Sequence, residues 1–151
     1  MTHTTRSTLP IVIDAVKALA HPGRLRILAM LRGGDLCVCQ VTAALGLAAS
    51  TVSSHLSDLR RAGFVTERKI GKWVRYHLVG DGLLADLARQ ALRLAEADDQ
   101  LAEDVRAVRA LRKIPLDTLC SAGFDPKAGG ASPAPARKPL RHHRSTTRRR
   151  T

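Results

Sequence analysis

The stretch that most constrains the fold is residues 38–64, VCQVTAALGLAASTVSSHLSDLRRAGF. Its apolar residues fall into two short runs at helical spacing, and Gly46 lies between the runs. A glycine between two short amphipathic helices permits the tight turn of a helix-turn-helix unit. The sequence therefore predicts one helix over residues 38–45 and a second helix over residues 49–62.

The second of these helices presents two different faces. Val52, Leu56 and Leu59 are spaced to face a core. The opposite face carries small hydrogen-bonding side chains and few long acids, and such a face can approach base edges in a DNA major groove. The residues predicted to face the groove are Ser50, Thr51, Ser53, Ser54 and His55.

Residues 64–79, FVTERKIGKWVRYHLV, change from a helical to an alternating pattern. Two short alternating runs flank a glycine, which predicts a β-hairpin. Basic side chains cluster near its turn, namely Arg68, Lys69, Lys72 and Arg75. We interpret this hairpin as a basic wing that contacts DNA phosphates through Lys69, Lys72 and Arg75.

Two further helices are predicted before the helix-turn-helix unit. Residues 10–20 carry apolar residues at helical spacing. The next helix begins with Pro22 in its first turn, where a missing N–H costs nothing, and it ends at Gly33-Gly34. Helices therefore frame the helix-turn-helix unit on its N-terminal side.

Residues 81–115 are predicted to form one long helix that ends at Pro115. Two apolar seven-residue series run along it and make a coiled-coil-like seam with a polar interruption at Asp98. At about 1.5 Å per residue, roughly 30 helical residues span about 45 Å, which is more than one small body can bury. We therefore predict a mainly α winged helix-turn-helix protein that forms a homodimer through its N-terminal and long C-terminal helices.

The composition excludes several classes of protein. No apolar run reaches about 18 residues, and the N-terminus MTHTTRSTLP has no apolar signal core, so we predict neither a membrane span nor export. Three cysteines in 151 residues do not make a disulfide framework, which favours a cytoplasmic protein with free thiols. No Ser/His/Asp order, glycine phosphate loop or carboxylate pair indicates an enzyme.

The net charge of +12 is concentrated near the C-terminus. Residues 127–151 hold eight basic side chains and no acid, whereas the rest of the chain holds 17 basic and 13 acidic side chains. Both parts suit a polyanionic partner, above all nucleic acid. The predicted divisions are a flexible N-terminus over 1–8, a DNA-binding and dimerisation domain over 9–115, a segment over 116–125 that carries Cys120, and a disordered basic tail over 126–151.

Together these elements resemble the ArsR/SmtB family of bacterial metal- and metalloid-responsive repressors, in its arsenic-sensing form. The resemblance rests on ALAHPGRLRILAMLRGGDLCVCQV, STVSSHLSDLRRAGFVTERKIGKWVRYHL and the flanking helices, and it covers roughly residues 9–115. It implies a winged-helix homodimer that occupies a palindromic operator in double-stranded DNA and leaves it when metal binds. Family members often begin the recognition helix with Ser-Gln, whereas this chain has Ala48-Ala49 and so lacks an N-cap worth about 1 kcal/mol.

The segment DLCVCQV places Cys37 and Cys39 one residue apart at a predicted helix start. Thiolates bind soft ions, and the resemblance implies As(III), with Sb(III) as a second candidate, held by three sulfurs. Residues two apart lie on nearly opposite sides of a regular helix, so these sulfurs converge only if the segment is not fully helical. The arsenic-sensing motif has a third cysteine where this chain has Thr42, and Cys120 is the candidate replacement. Gathering the sulfurs around an ion should bend this helix start and tilt the recognition helix.

Other ligands and roles fit the same residues. Cys120 is either the third sulfur, from its own subunit or from a second copy, or an incidental free cysteine. The thiols also suit Cd(II) or Pb(II), and oxidation of Cys37 or Cys39 with pairing to Cys120 would make a redox switch without metal. Family members that sense zinc, nickel or cobalt on the long helix use histidine there, but residues 81–115 contain none, so we predict no zinc site on it. The acids of residues 81–115 are read as its solvated face and as salt-bridge partners: Asp86, Glu96, Asp98, Asp99, Glu103 and Asp104.

Overall fold

The structure, a computed structural model, describes residues 8–121 of the chain. The elements within that range are, in chain order, α1 (Leu9–Leu19), α2 (Pro22–Leu31), β1 (Leu36–Cys37), α3 (Val38–Leu45), α4 (Ala49–Arg61), β2 (Val65–Ile70), β3 (Trp73–Leu78), α5 (Leu83–Leu94), α6 (Asp99–Leu111) and α7 (Leu116–Ser121). None of these helices is long and apolar enough to cross a membrane. The predicted basic tail over 126–151 and all but the last residue of the predicted flexible N-terminus over 1–8 lie outside the described residues.

The predicted helix-turn-helix unit is confirmed as α3 and α4. Gly46 ends α3 with a φ of 64°, a left-handed conformation that favours glycine, and it makes the tight turn between the two helices. α4 turns Val52, Leu56 and Leu59 into the core, where all three are fully buried. Ala48 caps α4 without a side-chain hydrogen bond, as expected for a residue with no polar side chain.

The helices predicted before this unit are confirmed as α1 and α2. The imidazole Nδ1 of His21 accepts the N–H of Gly23 at 3.0 Å, and Pro22 occupies the first helical position. Both features stabilise the start of α2. The position of Pro22 was predicted from the sequence, and the cap by His21 was not. α2 lies in the middle of the core, where Ile27 and Leu28 are fully buried.

The predicted hairpin is confirmed as β2 and β3, but the sheet has a third strand. β3 lies between β2 and β1, and both pairs are antiparallel. β1 consists only of Leu36 and Cys37, which pair with Tyr76 and Arg75 of β3. Two residues carry no detectable periodicity, so the sequence pattern did not predict this strand. As a result, the strand that forms the wing also pairs with the first cysteine.

The prediction of one helix over residues 81–115 is wrong, because the chain forms two helices, α5 and α6, with a turn at residues 95–98. Asp98 is not an interruption within a seam. It is the N-cap of α6, and its carboxylate accepts the N–H of Leu101 at 3.1 Å, an arrangement that aspartate favours. The apolar seam does not continue across the break, because the backbone turns at residues 95–98.

A buried ion pair holds α6 against α2. Nε and Nη2 of Arg26 donate to the two carboxylate oxygens of Asp104 at 2.6 and 2.8 Å, and Gln100 donates to Asp104 at 3.1 Å. This hydrogen bonding to Asp104 raises the pKa of Arg26 above its ordinary value. Asp104 is a salt-bridge partner, as predicted, but it is only 2% exposed, so its predicted place on a solvated face is wrong. A carboxylate can be buried in this way because charged and polar donors surround it.

Apolar side chains remain exposed on α1 and α5, two helices that also contact each other within the chain. On α1 these are Leu9, Ile11, Val12, Ile13 and Val16, and on α5 they are Leu83, Leu87 and Leu94. Exposed apolar surface grouped in this way commonly marks a contact with another protein. This exposed apolar surface lies on α1, the N-terminal helix, and on α5, the first helix after the wing.

Candidate thiol site and DNA-binding face

The structure brings all three cysteines together at the start of α3. The sulfur atoms of Cys37, Cys39 and Cys120 lie within 4.8 Å of one another, and those of Cys37 and Cys120 are 4.0 Å apart. Cys39 and Cys120 are joined as a disulfide, with Cα atoms 5.5 Å apart, and Cys37 is a free, buried thiol. The three residues proposed from the sequence as ligands therefore meet within one subunit.

Cys37 and Cys39 converge because the helix begins between them. Cys37 has an extended backbone, with φ −89° and ψ 163°, as the last residue of β1 and the N-cap of α3. Cys39 is already helical, as the second residue of α3. The side-chain oxygen of Gln40 accepts the N–H of Cys37 at 3.0 Å and fixes this helix start. The expectation that the segment is not fully helical is confirmed.

Cys120 reaches the site because the chain turns between α5 and α6. α6 packs against α2 and α3, and α7 then packs against α3. Arg112, at the end of α6, donates to the carbonyl oxygens of Gly34 at 2.8 Å and Asp35 at 3.2 Å, just before β1. Leu119 is 1% exposed and anchors α7. Sequence reasoning named Cys120 as a candidate but missed the turn that delivers it.

Three sulfurs at these separations allow two kinds of chemistry. When reduced, they are three soft ligands held by separate elements of the fold, and a soft ion could bind between them. When Cys39 and Cys120 are joined, two of the three ligands are unavailable and Cys37 remains alone. Thr42 offers no sulfur, and its buried hydroxyl has no hydrogen-bond partner within residues 8–121. The site can therefore act as a three-sulfur centre only in its reduced form.

Arg75 lies beside the thiol site rather than at the tip of the wing. It is directly opposite Cys37 in the ladder between β1 and β3, and directly opposite residues of an antiparallel pair share one face. Arg75 is half-buried, and its Nε has no hydrogen-bond partner in the described part of the chain. Burial, followed by the charge of Arg75, lowers the pKa of Arg112. The phosphate contact expected of Arg75 stays a prediction.

The outer face of α4 carries the small polar residues that we expected to face a major groove. His55 differs from the others, because its ring packs against that of His21 with the centroids 4.5 Å apart. Burial, then the charges of His21 and Arg24, lower the pKa of His55. His55 therefore links α4 to the start of α2 and is only half-exposed. The other members of the predicted set are exposed, namely Ser50, Thr51, Ser53 and Ser54.

Both lysines predicted on the wing are exposed. Lys69 lies on β2, and Lys72 lies in the turn between β2 and β3. The ammonium nitrogen of Lys72 is 4.9 Å from the centroid of the Trp73 ring. It also forms an ion pair with Asp117 of α7. Sequence reasoning missed this ion pair because it did not predict a helix at residues 116–121.

These features define a winged helix-turn-helix DNA-binding protein. Residues 21–67 match the family described as "Bacterial regulatory protein, arsR family". The chain is 39% identical over 108 residues to the arsenic resistance transcriptional regulator ArsR1 of Pseudomonas putida, and the match covers 62% of this chain and 82% of that protein. The chain therefore belongs to the ArsR family, whose members are DNA-binding transcriptional regulators and not enzymes.

A second relative and one solved structure are also similar to this chain. The chain is 40% identical over 88 residues to the probable mercury resistance operon repressor of Streptomyces lividans, which covers 58% of this chain and 69% of that protein. The homodimeric winged helix-turn-helix domain of Mb0332 from Mycobacterium bovis is similar in structure, with a TM-score of 0.55 and 27% identity, over 66% of this chain and 94% of that one. The predicted fold class is thus confirmed.

Proposed function

We propose that this chain is a repressor that binds operator DNA as a homodimer and is released when As(III) binds the thiolates of Cys37, Cys39 and Cys120. Sb(III) is the second candidate ligand. The observation that carries this proposal is the meeting of three sulfurs within 4.8 Å of one another. Three thiolates suit a soft ion that takes sulfur ligands. The name of the Pseudomonas putida relative, an arsenic resistance regulator, supports arsenic as that ion.

The homodimer is supported by the apolar side chains exposed on α1 and α5 and by the homodimeric description of the Mb0332 domain. In such a dimer, two copies of α4 would enter successive major grooves about 34 Å apart, and the wings would reach the flanking phosphates. The groove-facing side chains would be Ser50, Thr51, Ser53 and Ser54, with His55 nearer the backbone, and the wing would contribute Lys69, Lys72 and Arg75. We place this regulator in the cytoplasm, where operator DNA is found and thiols stay reduced.

Ion capture is coupled to DNA binding because α3 and α4 share one core. Val41 and Leu45 of α3 belong to the same buried cluster as Val52 and Leu56 of α4. Drawing Cys37 towards the other sulfurs would displace the start of α3, and α4 would tilt with it. Coupling between two sites is typically about 1–3 kcal/mol, or about 5- to 150-fold in DNA affinity.

Two alternatives use the same cysteines. Cd(II) or Pb(II) is also soft enough for a thiolate site, and the Streptomyces lividans relative carries mercury in its name. The disulfide between Cys39 and Cys120 favours the second alternative, a redox switch. In that case, an oxidant would accept two electrons as the two thiols lose their protons and form the S–S bond.

Titration of a protein–DNA complex separates these functions. The probe is a labelled duplex that the reduced, ligand-free protein selects from a randomised pool, here called the selected duplex. Arsenite should release it at about one equivalent per subunit, cadmium should do so only at higher concentration, and peroxide alone should weaken binding by no more than about fivefold. If cadmium releases the duplex at a lower concentration than arsenite does, the ligand is Cd(II) rather than As(III). If peroxide alone releases the duplex, the protein is a redox switch rather than an ion sensor.

The number of sulfurs bound to arsenic tests the part played by Cys120. X-ray absorption on the reduced, arsenite-loaded protein should show three As–S bonds, and the Cys120→Ser variant should show two. The expectation follows from the 4.0 Å between the sulfurs of Cys37 and Cys120. Two As–S bonds in both proteins would remove Cys120 from the ligand set, while the assignment of Cys37 and Cys39 would stand.

Replacing Lys69 by glutamine should weaken binding to every DNA sequence. An exposed lysine on the wing gives a phosphate contact that carries no sequence information. The slope of log K against log salt should become shallower by about 0.9 per wing, or about 1.8 per dimer. Lys113→Gln, an exposed lysine just beyond α6, is the matched control and should leave the slope unchanged. An unchanged slope in Lys69→Gln would remove Lys69 from the interface.

A further inference from the structure

α7 connects the thiol site to the tip of the wing. One end of this short helix carries Cys120, whose sulfur lies at the thiol site. Near its other end, Asp117 forms an ion pair with Lys72 in the turn between β2 and β3. A single helix thus contacts both the residue proposed to sense the ion and a residue proposed to bind DNA.

The same lysine cannot serve Asp117 and a DNA phosphate equally well. A carboxylate beside the ammonium group neutralises the charge that would attract a phosphate and occupies the same donor hydrogens. Whether Lys72 is available to DNA therefore depends on whether Asp117 stays beside it. The Trp73 ring under Lys72 belongs to the wing itself and remains in place in either case.

The ion pair between Lys72 and Asp117 is not strong enough to persist by itself. Their side chains are 67% and 71% exposed, and exposed ion pairs contribute little. Its occupancy must therefore depend on what holds α7 in position. Leu119 is buried in this structure, and Cys120 is tied covalently to Cys39. Fixing Cys120 keeps Asp117, three residues earlier, at a high effective concentration beside Lys72.

We infer that Asp117 acts as a phosphate mimic that occupies Lys72 when Cys120 is held at the thiol site. In the reduced, ligand-free protein, α7 is held by Leu119 without the tie at Cys120, and a DNA phosphate displaces Asp117. When an ion binds the three sulfurs, α7 is anchored and each wing loses one phosphate contact. This inference rests on the proposed function, and it adds a route from the thiol site to DNA that passes through the wing rather than through α3 and α4.

The salt dependence of DNA binding tests this route, because it counts phosphate contacts. Binding of the selected duplex is measured over a range of salt concentrations, with and without arsenite, in a non-thiol reductant. In the wild type, arsenite should make the slope of log K against log salt shallower by about 0.9 per wing, or about 1.8 per dimer. In Asp117→Asn, arsenite should leave the slope unchanged, and the arsenite-loaded protein should bind DNA about two- to fivefold more tightly than the loaded wild type.

Two further variants act as controls. Asp117→Glu keeps the carboxylate and should behave like the wild type. Asp81→Asn removes an exposed acid that forms no ion pair within residues 8–121, and it should also behave like the wild type. Without arsenite, Lys72→Gln should already show a shallower slope than the wild type. Adding arsenite should not change that slope further. If Asp117→Asn binds arsenite poorly, Lys72→Gln still tests the role of Asp117, because Lys72→Gln does not change the sequence of α7.

The outcomes distinguish this inference from the proposed function. If neither arsenite nor cadmium releases the wild type from DNA, the proposed function fails. If the wild type is released with no change in slope, or if Lys72→Gln or an arsenite-binding Asp117→Asn shows the wild-type change, Asp117 is not a phosphate mimic. Arsenic sensing through the cysteines would then stand without the wing route.

Discussion

Replacing both Cys37 and Cys39 by serine is expected to leave DNA binding intact and to abolish release by arsenite. The reduced wild type should lose about 5- to 150-fold in DNA affinity when arsenite binds, and the double variant should lose none of it. The physical reason is the ligand count, since the variant keeps only the sulfur of Cys120. Fluorescence anisotropy on the selected duplex, with and without arsenite, measures both affinities.

DNA binding should survive this double substitution because serine suits both positions. Cys37 is the N-cap of α3, and serine is among the preferred residues at an N-cap. The hydrogen bond from its backbone N–H to Gln40 does not involve the side chain of Cys37 and is retained. Cys39 is half-buried in the first turn of α3, where a hydroxyl takes the place of the thiol with little change in volume. The core between α3 and α4 is therefore undisturbed.

Thr42→Ser is the matched control, since it changes the same helix without removing a sulfur. It should bind DNA and respond to arsenite as the wild type does. If the double variant still leaves DNA when arsenite is added, the ion is bound elsewhere and the proposed site is wrong. If it no longer binds DNA without arsenite, the far-ultraviolet circular dichroism of the variant shows whether α3 has been lost.

The elements around the recognition helix could be predicted because their patterns are local. Helical spacing placed Val52, Leu56 and Leu59 in the core, and the structure buries all three. Gly46 marked the turn, and the alternating run marked the hairpin. Each of these signals depends on neighbouring residues only. The resemblance to a known family combined them into one fold, which the comparisons confirm.

The helices after the wing were predicted less well, because an apolar series alone does not show where a helix ends. The seven-residue series runs through residues 95–98, although the backbone turns there. Asp98 can be read as a polar position within a seam or as an N-cap, and only the tertiary contacts of α6 decide between these readings. The burial of Asp104 against Arg26 is one such contact, and it joins residues 78 positions apart in the sequence.

The candidate site was predicted in composition but not in geometry. The spacing of Cys37 and Cys39 suggested soft-ion binding, and their convergence required the helix to begin between them. Cys120 lies 81 positions after Cys39, and no local pattern connects them. Its arrival depends on the turn before α6, on the ion pair that holds α6 to α2, and on the contacts of Arg112 with the loop before β1. A property that depends on these long-range contacts, and on a turn that the apolar series does not mark, is outside the reach of local periodicity.

Replacing Arg26 by methionine should destabilise the protein by about 3 kcal/mol or more, because removing one partner of a buried ion pair leaves an unpaired buried charge. Asp104 is 2% exposed and would keep only the hydrogen bond from Gln100. The side chain of Arg26 is itself 23% exposed, so water can reach part of the vacated space and the loss should lie near the lower end of the usual range of about 3–5 kcal/mol. Urea unfolding of the reduced protein at neutral pH measures the change.

The double variant Arg26→Met, Asp104→Leu separates the cost of an unpaired charge from the loss of packing. Apolar side chains of similar volume can replace a buried ion pair at little cost, so the double variant should recover most of the stability that the single variant loses. It should also keep α6 in place and therefore retain three As–S bonds. A loss of less than about 1 kcal/mol in Arg26→Met, the range of an exposed pair, would show that Asp104 is solvated in solution and that another contact holds α6 on α2.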